Sequence, residues 1–153
     1  MKKGHYLRNL ESVAVLIAMA GLALQLLDKS IPQLIMLGLL TVAFCYLLMG
    51  LLTQGPYMDY FPIAIEHALN PWHQKIILIT GLGMSVSAIA ILFRLMHWEG
   101  WQMQMMVGLG SSTFAIILNV LFMRRREPKL FQYLGYRALM LIVMQFILME
   151  SSL

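Results

Sequence analysis

Long apolar runs alternate with short polar connections along this chain. Four of these runs fill residues 11–28, 31–53, 75–96 and 101–123. A helix that crosses the hydrocarbon core of a bilayer needs about 20 mostly apolar residues. The pattern therefore predicts four membrane-spanning helices, of which the first is near the short end of the usual length.

A fifth apolar run follows Arg137 and is shorter than the others. Residues 138–149 are too few to span a bilayer alone. A helix that extends back to Leu130 is long enough and contains Arg137, whose long side chain can reach the interface. We predict a fifth spanning helix over residues 130–150, with a helix that lies partly in the interface as the alternative.

The longest polar connection covers residues 54–74, where Gly and Pro residues interrupt the apolar pattern. Within it, residues 63–69 are predicted to form a short helix at the membrane surface, because interfacial aromatic residues flank them. The other connections are shorter turns. The predicted fold class is an all-α integral membrane protein, with two related transmembrane helical hairpins plus a fifth C-terminal helix. The whole chain, residues 1–153, is predicted to be a single polytopic membrane domain.

Basic residues are concentrated in two places. Lys2, Lys3 and Arg8 precede the first predicted helix, and Arg124–Arg126 follow the fourth. Such clusters mark the cytoplasmic side of a membrane protein, and four spans between them put both clusters on that side. We therefore predict a multi-pass protein of the cell inner membrane with a cytoplasmic N-terminus and a cytoplasmic 54–74 loop.

The composition agrees with a membrane protein. The 153 residues are 60% hydrophobic and 12% charged, whereas soluble domains are usually about 45–50% apolar and about 25% charged. The net charge is +4, but the placement of the basic residues matters more and indicates topology, so no nucleic-acid partner is expected. Cys45, the one cysteine, lies inside an apolar run, where we expect it to pack as a small apolar side chain.

The two predicted hairpins resemble each other. Residues 11–51 align on residues 81–121 without gaps and with nine identities. In both segments a long helix and a turn precede a helix with a glycine about eight residues after the turn, Gly38 and Gly108. The pattern predicts a duplicated hairpin in parallel orientation.

Small and hydroxyl residues lie inside the third and fourth helices. Gly81 with Ser85, and Gly108 with Ser112, have the small-xxx-small spacing that lets helices pack closely. We predict that these four residues serve helix packing. A hydrated ion path is the alternative, but the middle of the first four helices is predicted to lack the ionisable groups that such a path needs.

The turn between the third and fourth helices is rich in polar and aromatic residues. Arg94, His97 and Glu99 lie there, with Trp98 and Trp101 beside them. We predict a polar contact for a partner protein at Arg94, His97 and Glu99. The alternative is an interfacial anchor in which Arg94 reaches the lipid surface and the tryptophans lie at the interface.

Residues that would indicate catalysis or a cofactor are not arranged in recognisable patterns. The sequence has no evident pair of nucleophile and base, and its Gly-Leu-Gly segments lie inside apolar helices rather than in a phosphate-binding loop. The four histidines lack ligand spacing on a defined helix. We therefore predict a non-enzymatic protein with no cofactor and no metal site.

The hairpin around the polar turn resembles a known family. The residues concerned are Phe93, Arg94, His97, Gly100, Gly108 and Leu109. Their pattern is similar to the N-terminal membrane hairpin of the gliding-motility L protein, which forms the membrane ring of the proton-driven motor for gliding and type 9 secretion. The resemblance implies a similar hairpin fold. It does not extend to the family's membrane-embedded glutamate, since Ser111–Thr113 stand there.

Together these features predict a non-enzymatic inner-membrane subunit with a structural or assembly role in a larger envelope complex. The resemblance links that complex to gliding or type 9 secretion machinery. The expected partners are the lipid bilayer, other membrane protein subunits and further copies of this chain. The alternative function is an ion-conducting motor or channel component.

Overall fold

The computed structural model describes residues 3–26, 32–51, 71–122 and 128–150. These residues form five α-helices, each long and apolar enough to cross a membrane. The helices are α1 (Lys3–Leu26), α2 (Pro32–Leu51), α3 (Pro71–Leu95), α4 (Trp101–Phe122) and α5 (Pro128–Glu150). The all-α, multi-pass membrane architecture predicted from the sequence is confirmed.

The predicted start of the first helix was wrong. Helix α1 begins at Lys3, eight residues before residue 11. Glu11 does not end the helix, because glutamate is a good helix former, and its side chain is buried against Arg137 of α5. Glu11 therefore lies two turns inside α1 and within the candidate span Tyr6–Leu24.

Helix α3 also begins earlier than predicted, at Pro71 instead of residue 75. Proline suits the first position of a helix, where its missing N–H needs no partner and its φ angle is already helical. The last residues of the predicted 54–74 loop are therefore helical. The rest of that loop, including the predicted surface helix over residues 63–69, lies outside the described residues.

Helix α3 is the centre of the described bundle. It packs against α2, α4 and α5, while α1 packs extensively against α2 alone. Within the candidate spans, 67% of the α3 residues are buried, compared with 22% for α1 and 22% for α5. The outer helices α1, α4 and α5 therefore present broad apolar faces to the lipid.

Glycines set the closest helix crossings. A Cβ atom added at Gly81 of α3 would lie 2.9 Å from the Cα atom of Gly50 and 2.6 Å from the carbonyl oxygen of Tyr46, both on α2. Any side chain at Gly81 would separate the two backbones, as at other close helix contacts in membranes.

The two hairpins share a packing feature. Gly38 of α2 faces Ala18 of α1, and Gly108 of α4 faces Ala90 of α3. In both places an added Cβ atom would lie 2.8 Å from the alanine Cβ atom. The two contacts are similar but not equivalent in the repeat alignment, because the residue that corresponds to Ala18 is Ala88 and not Ala90.

Candidate functional site

An ion pair between α1 and α5 lies inside the membrane-spanning part of the bundle. Arg137 Nη1 is 2.6 Å from Glu11 Oε1 and 2.8 Å from Glu11 Oε2. Glu11 is only 5% exposed, and Arg137 is partly buried. At 1.5 Å per residue, Glu11 lies about 12 Å along α1 from its first residue. The pair therefore lies well away from the helix end.

Two tyrosines surround this ion pair. The Arg137 guanidinium carbon is 4.2 Å from the ring centre of Tyr133 and 6.0 Å from that of Tyr46. The Tyr46 side chain is buried and hydrogen-bonds Glu11. Charges in a low-dielectric interior are costly unless they are paired and hydrogen-bonded. Tyr46 supplies a hydrogen bond to Glu11, and the Tyr133 ring contacts the Arg137 guanidinium. Ionisable groups within membrane spans are often functional.

Hydroxyl and amide groups join α3 to α4. Ser87 Oγ donates a hydrogen bond of 2.8 Å to the Gly108 carbonyl oxygen and makes a short hydrogen bond with Ser112 Oγ. About two turns further along α4, Asn119 Nδ2 donates 2.7 Å hydrogen bonds to Thr80 Oγ1 and to the Ala115 carbonyl oxygen. Gly108 and Ser112, two of the predicted packing residues, thus lie at this contact.

The small residues of α3 contact two different neighbours. Gly81 faces α2, and Ser85, which is also buried, lies one helical turn further on the same side of α3. The contact with α4 involves Gly83, where an added Cβ atom would lie 2.9 Å from the Ser111 carbonyl oxygen. The sequence pattern did not indicate Gly83, because spacing alone does not say which neighbour each side of a central helix meets.

Gln145 of α5 reaches the same α3–α4 contact. Its side chain is fully buried, beside Gly108, and Nε2 is 3.4 Å from the Ser87 carbonyl oxygen. Within the described part of the chain, Gln145 Oε1 and Asn119 Oδ1 are buried without a hydrogen-bond partner. A glutamine in the apolar run 138–149 was the sequence feature that could have indicated this position.

The three residues of the predicted polar contact, Arg94, His97 and Glu99, have different surroundings in the structure. Arg94 is buried: its Nε atom donates a 3.0 Å hydrogen bond to the Leu148 carbonyl oxygen near the end of α5. Its guanidinium carbon lies 4.1 Å from the ring centre of Trp101. His97 and Glu99 are exposed. The structure thus uses Arg94 to hold helices together and leaves His97 and Glu99 on the surface.

The histidines considered as ligands are in different places. His73 is buried in the first turn of α3, and His97 is exposed at the opposite end of that helix. His67 and the side chain of His5 lie outside the described residues. No group of three or more His, Cys, Asp and Glu side chains comes together within the described ranges.

A cavity of about 320 Å³ lies beside the ion pair. Side chains from α1, α2, α3 and α5 line it, and almost all of its wall is carbon. Tyr46 and Arg137 are at one end, and Leu22 and Met144 are at the other. The deep ion pair and this cavity are the candidate functional site.

The described fold and site define the class of this chain as a multi-pass α-helical membrane protein with a charged pair in its interior. No protein-family model, curated protein or solved structure matches the chain. The resemblance to the gliding-motility L protein therefore rests on the residues of the α3–α4 hairpin alone.

The Glu11–Arg137 pair was missed at the level of sequence. The first apolar run is predicted to begin at Glu11, whereas this residue lies inside α1 and within the candidate span Tyr6–Leu24, on the N-terminal side of its middle. The sequence feature that could have indicated this ion pair is the position of two opposite charges, Glu11 and Arg137, at the borders of two apolar runs. Their contact also depends on how α1 and α5 are arranged around α3.

Proposed function

We propose that this chain is a non-enzymatic subunit with a structural or assembly role in a larger complex of the inner membrane. One observation carries this proposal: the deep polar side chains bind neighbouring helices. Glu11 and Arg137 join α1 to α5, Arg94 joins α3 to α5, and Asn119 joins α4 to α3. Such contacts make a preformed unit whose broad outer faces are available to partner helices.

The outer face of α4 has the features of a helix-docking surface. Gly110 is exposed there, and a Cβ atom added to it would meet nothing within 4 Å. Met106, Phe114 and Leu121 are exposed on the same helix. Small residues allow close helix approach in lipid, so Gly110 favours a partner helix, from another subunit or a second copy, at this face.

The proposed orientation follows the positive-inside rule. The N-terminal ends of α1 and α5 face the cytoplasm, and the turn after α3 faces outward with exposed His97 and Glu99. We propose this turn as a second contact with a partner. A role in gliding or type 9 secretion machinery is part of the proposal only through the residues that Phe93–Leu109 share with the gliding-motility L protein.

Replacement of Gly110 by Leu tests the proposed docking face. The substitution adds bulk where the chain has open space, so the bundle itself should tolerate it. Gly135→Leu is the matched control, because the nearest atom to an added Cβ at Gly135 of α5 is 4.0 Å away. Native electrophoresis of complexes extracted gently from native membranes measures the effect.

We expect the parent protein and Gly135→Leu to migrate in one large complex, and Gly110→Leu to migrate as a smaller species. If the parent itself migrates as a single 17.5 kDa chain in detergent, the subunit proposal is wrong. If all three proteins remain in the same large complex, α4 does not dock through Gly110.

Ion conduction is the second candidate, and Glu11 is the observation that favours it. Proton paths use ionisable groups within the membrane, and Glu11 is a carboxylate inside a candidate span. The pairing with Arg137 argues for a structural role instead. Proton flux into liposomes that contain the protein distinguishes the two: flux that disappears in Glu11→Gln supports conduction, whereas no flux above that of empty liposomes excludes it.

A further inference from the structure

The cavity between α1 and α5 opens sideways from the bundle. Its mouth includes Val15 and Met19 of α1 and Tyr136 and Met140 of α5, all of them exposed within candidate membrane spans. The cavity is therefore continuous with the surface that contacts lipid. Its occupant must come from the bilayer.

The apolar walls of the cavity favour a hydrocarbon as its occupant. Leu39, Val42 and Ile91 form buried parts of the wall. The polar atoms of Tyr46 and Arg137, at the inner end, are engaged with Glu11. A buried water needs about two to four polar partners, which these walls do not offer. An empty space would lose the dispersion contacts of its lining.

The shape and position of the cavity favour a linear chain. The α1 residues that line it extend from Val15 to Leu22, which is about 10 Å of helix. This stretch lies in the half of α1 that is nearer to the turn after α3. The volume of about 320 Å³ is within the range of about 300–1,000 Å³ that is usual for ligand sites.

The helices on either side of the cavity do not pack extensively against each other. Among the described helices, α1 packs extensively against α2, and α5 packs against α3 and α4. The ion pair at the inner end of the cavity links α1 to α5. A chain in the cavity would add apolar contacts between these two helices over the next two turns.

We propose that this cavity binds one acyl chain of a membrane phospholipid, from the leaflet on the side of the turn after α3, and that the bound chain joins α1 to α5. The proposal rests on the membrane fold and not on a role in a larger complex. It can therefore fail or succeed independently of the docking face on α4.

A variant that fills the cavity provides the test. Val15→Trp places an indole at the mouth, while Val13→Trp is the matched control on the same helix. Both valines are exposed, by 40% and 52%, but Val13 does not line the cavity. Each purified protein is freed of lipid in detergent and titrated with dioleoylphosphatidylglycerol. The thermal unfolding midpoint and the phosphorus retained per chain after gel filtration are measured.

We expect the unfolding midpoint of the parent and of Val13→Trp to rise and to saturate near one lipid per chain, because a ligand of the native state stabilises it. Val15→Trp should lose both the rise and the retained lipid. An equal response in all three proteins, or a response without saturation, would show nonspecific lipid contact and overturn the proposal. So would no response in the parent.

If Val15→Trp does not fold, a second pair of variants tests the proposal. Met140→Trp fills the cavity from the α5 side, and Leu139→Trp is its exposed neighbour outside the cavity. The same outcomes then apply to this second pair of variants. The saturation ratio of the parent protein is a further measurement that needs no variant.

Discussion

At the scale of single residues, the turn between α3 and α4 depends on an unusual backbone conformation. His97 has a φ of 52° and is the one non-glycine residue with positive φ among the described residues. Gly100, with a φ of 80°, completes the reversal of the chain. Histidine, asparagine and aspartate adopt this conformation more readily than other non-glycine residues, and β-branched residues adopt it least readily. The backbone conformation of the turn therefore restricts which residue types suit position 97.

We expect His97→Val to lower the free energy of unfolding by about 1–2 kcal/mol, because a β-branched side chain is strained at positive φ. His97→Asn should leave it nearly unchanged. Unfolding of the three proteins in one detergent measures the difference. Equal stability of the valine variant and the parent would mean that the turn does not hold residue 97 in this conformation.

At the scale of helices, Arg94 couples the end of α3 to the end of α5. The last carbonyl groups of a helix have no partner within the helix and need another donor. The hydrogen bond from Arg94 Nε to the Leu148 carbonyl oxygen meets this need, and its positive charge is favourable at a helix C-terminus. Stacking on Trp101 adds a contact to α4. One side chain thus connects three helices near the turn between α3 and α4.

Arg94→Met should destabilise this end of the bundle. Removal of a hydrogen bond from a charged donor costs about 1.5–3 kcal/mol, and we expect a loss of unfolding free energy in that range. Amide hydrogen exchange should become faster near Leu148 and remain unchanged in the first turns of α5.

Lys129→Met is the control for Arg94→Met, because it removes an exposed cation at the other end of α5. It should change neither the stability nor the exchange near Leu148. Equal protection of the α5 end in Arg94→Met and in the parent would contradict the coupling role of Arg94.

At the scale of the whole molecule, the sequence predicted the number and type of elements but not their mutual contacts. Apolar run length is a local property, so five helices and their approximate bounds could be predicted. The burial of Arg94 and the three neighbours of α3 depend on the order of helices around the centre, which periodicity does not contain. The burial of Glu11 has a related origin, because its partner Arg137 is on α5.

The separation of Glu11 and Arg137 in the chain has a consequence for synthesis. The two residues are 126 positions apart, so a ribosome that adds about 5–20 residues per second needs roughly 6–25 s between them. During that interval the first helix carries a carboxyl group whose cation has not been made. A charged residue within a membrane-spanning helix is costly during insertion, most of all near the helix centre. The first helix to be synthesised therefore reaches its final environment only when the last one enters the membrane.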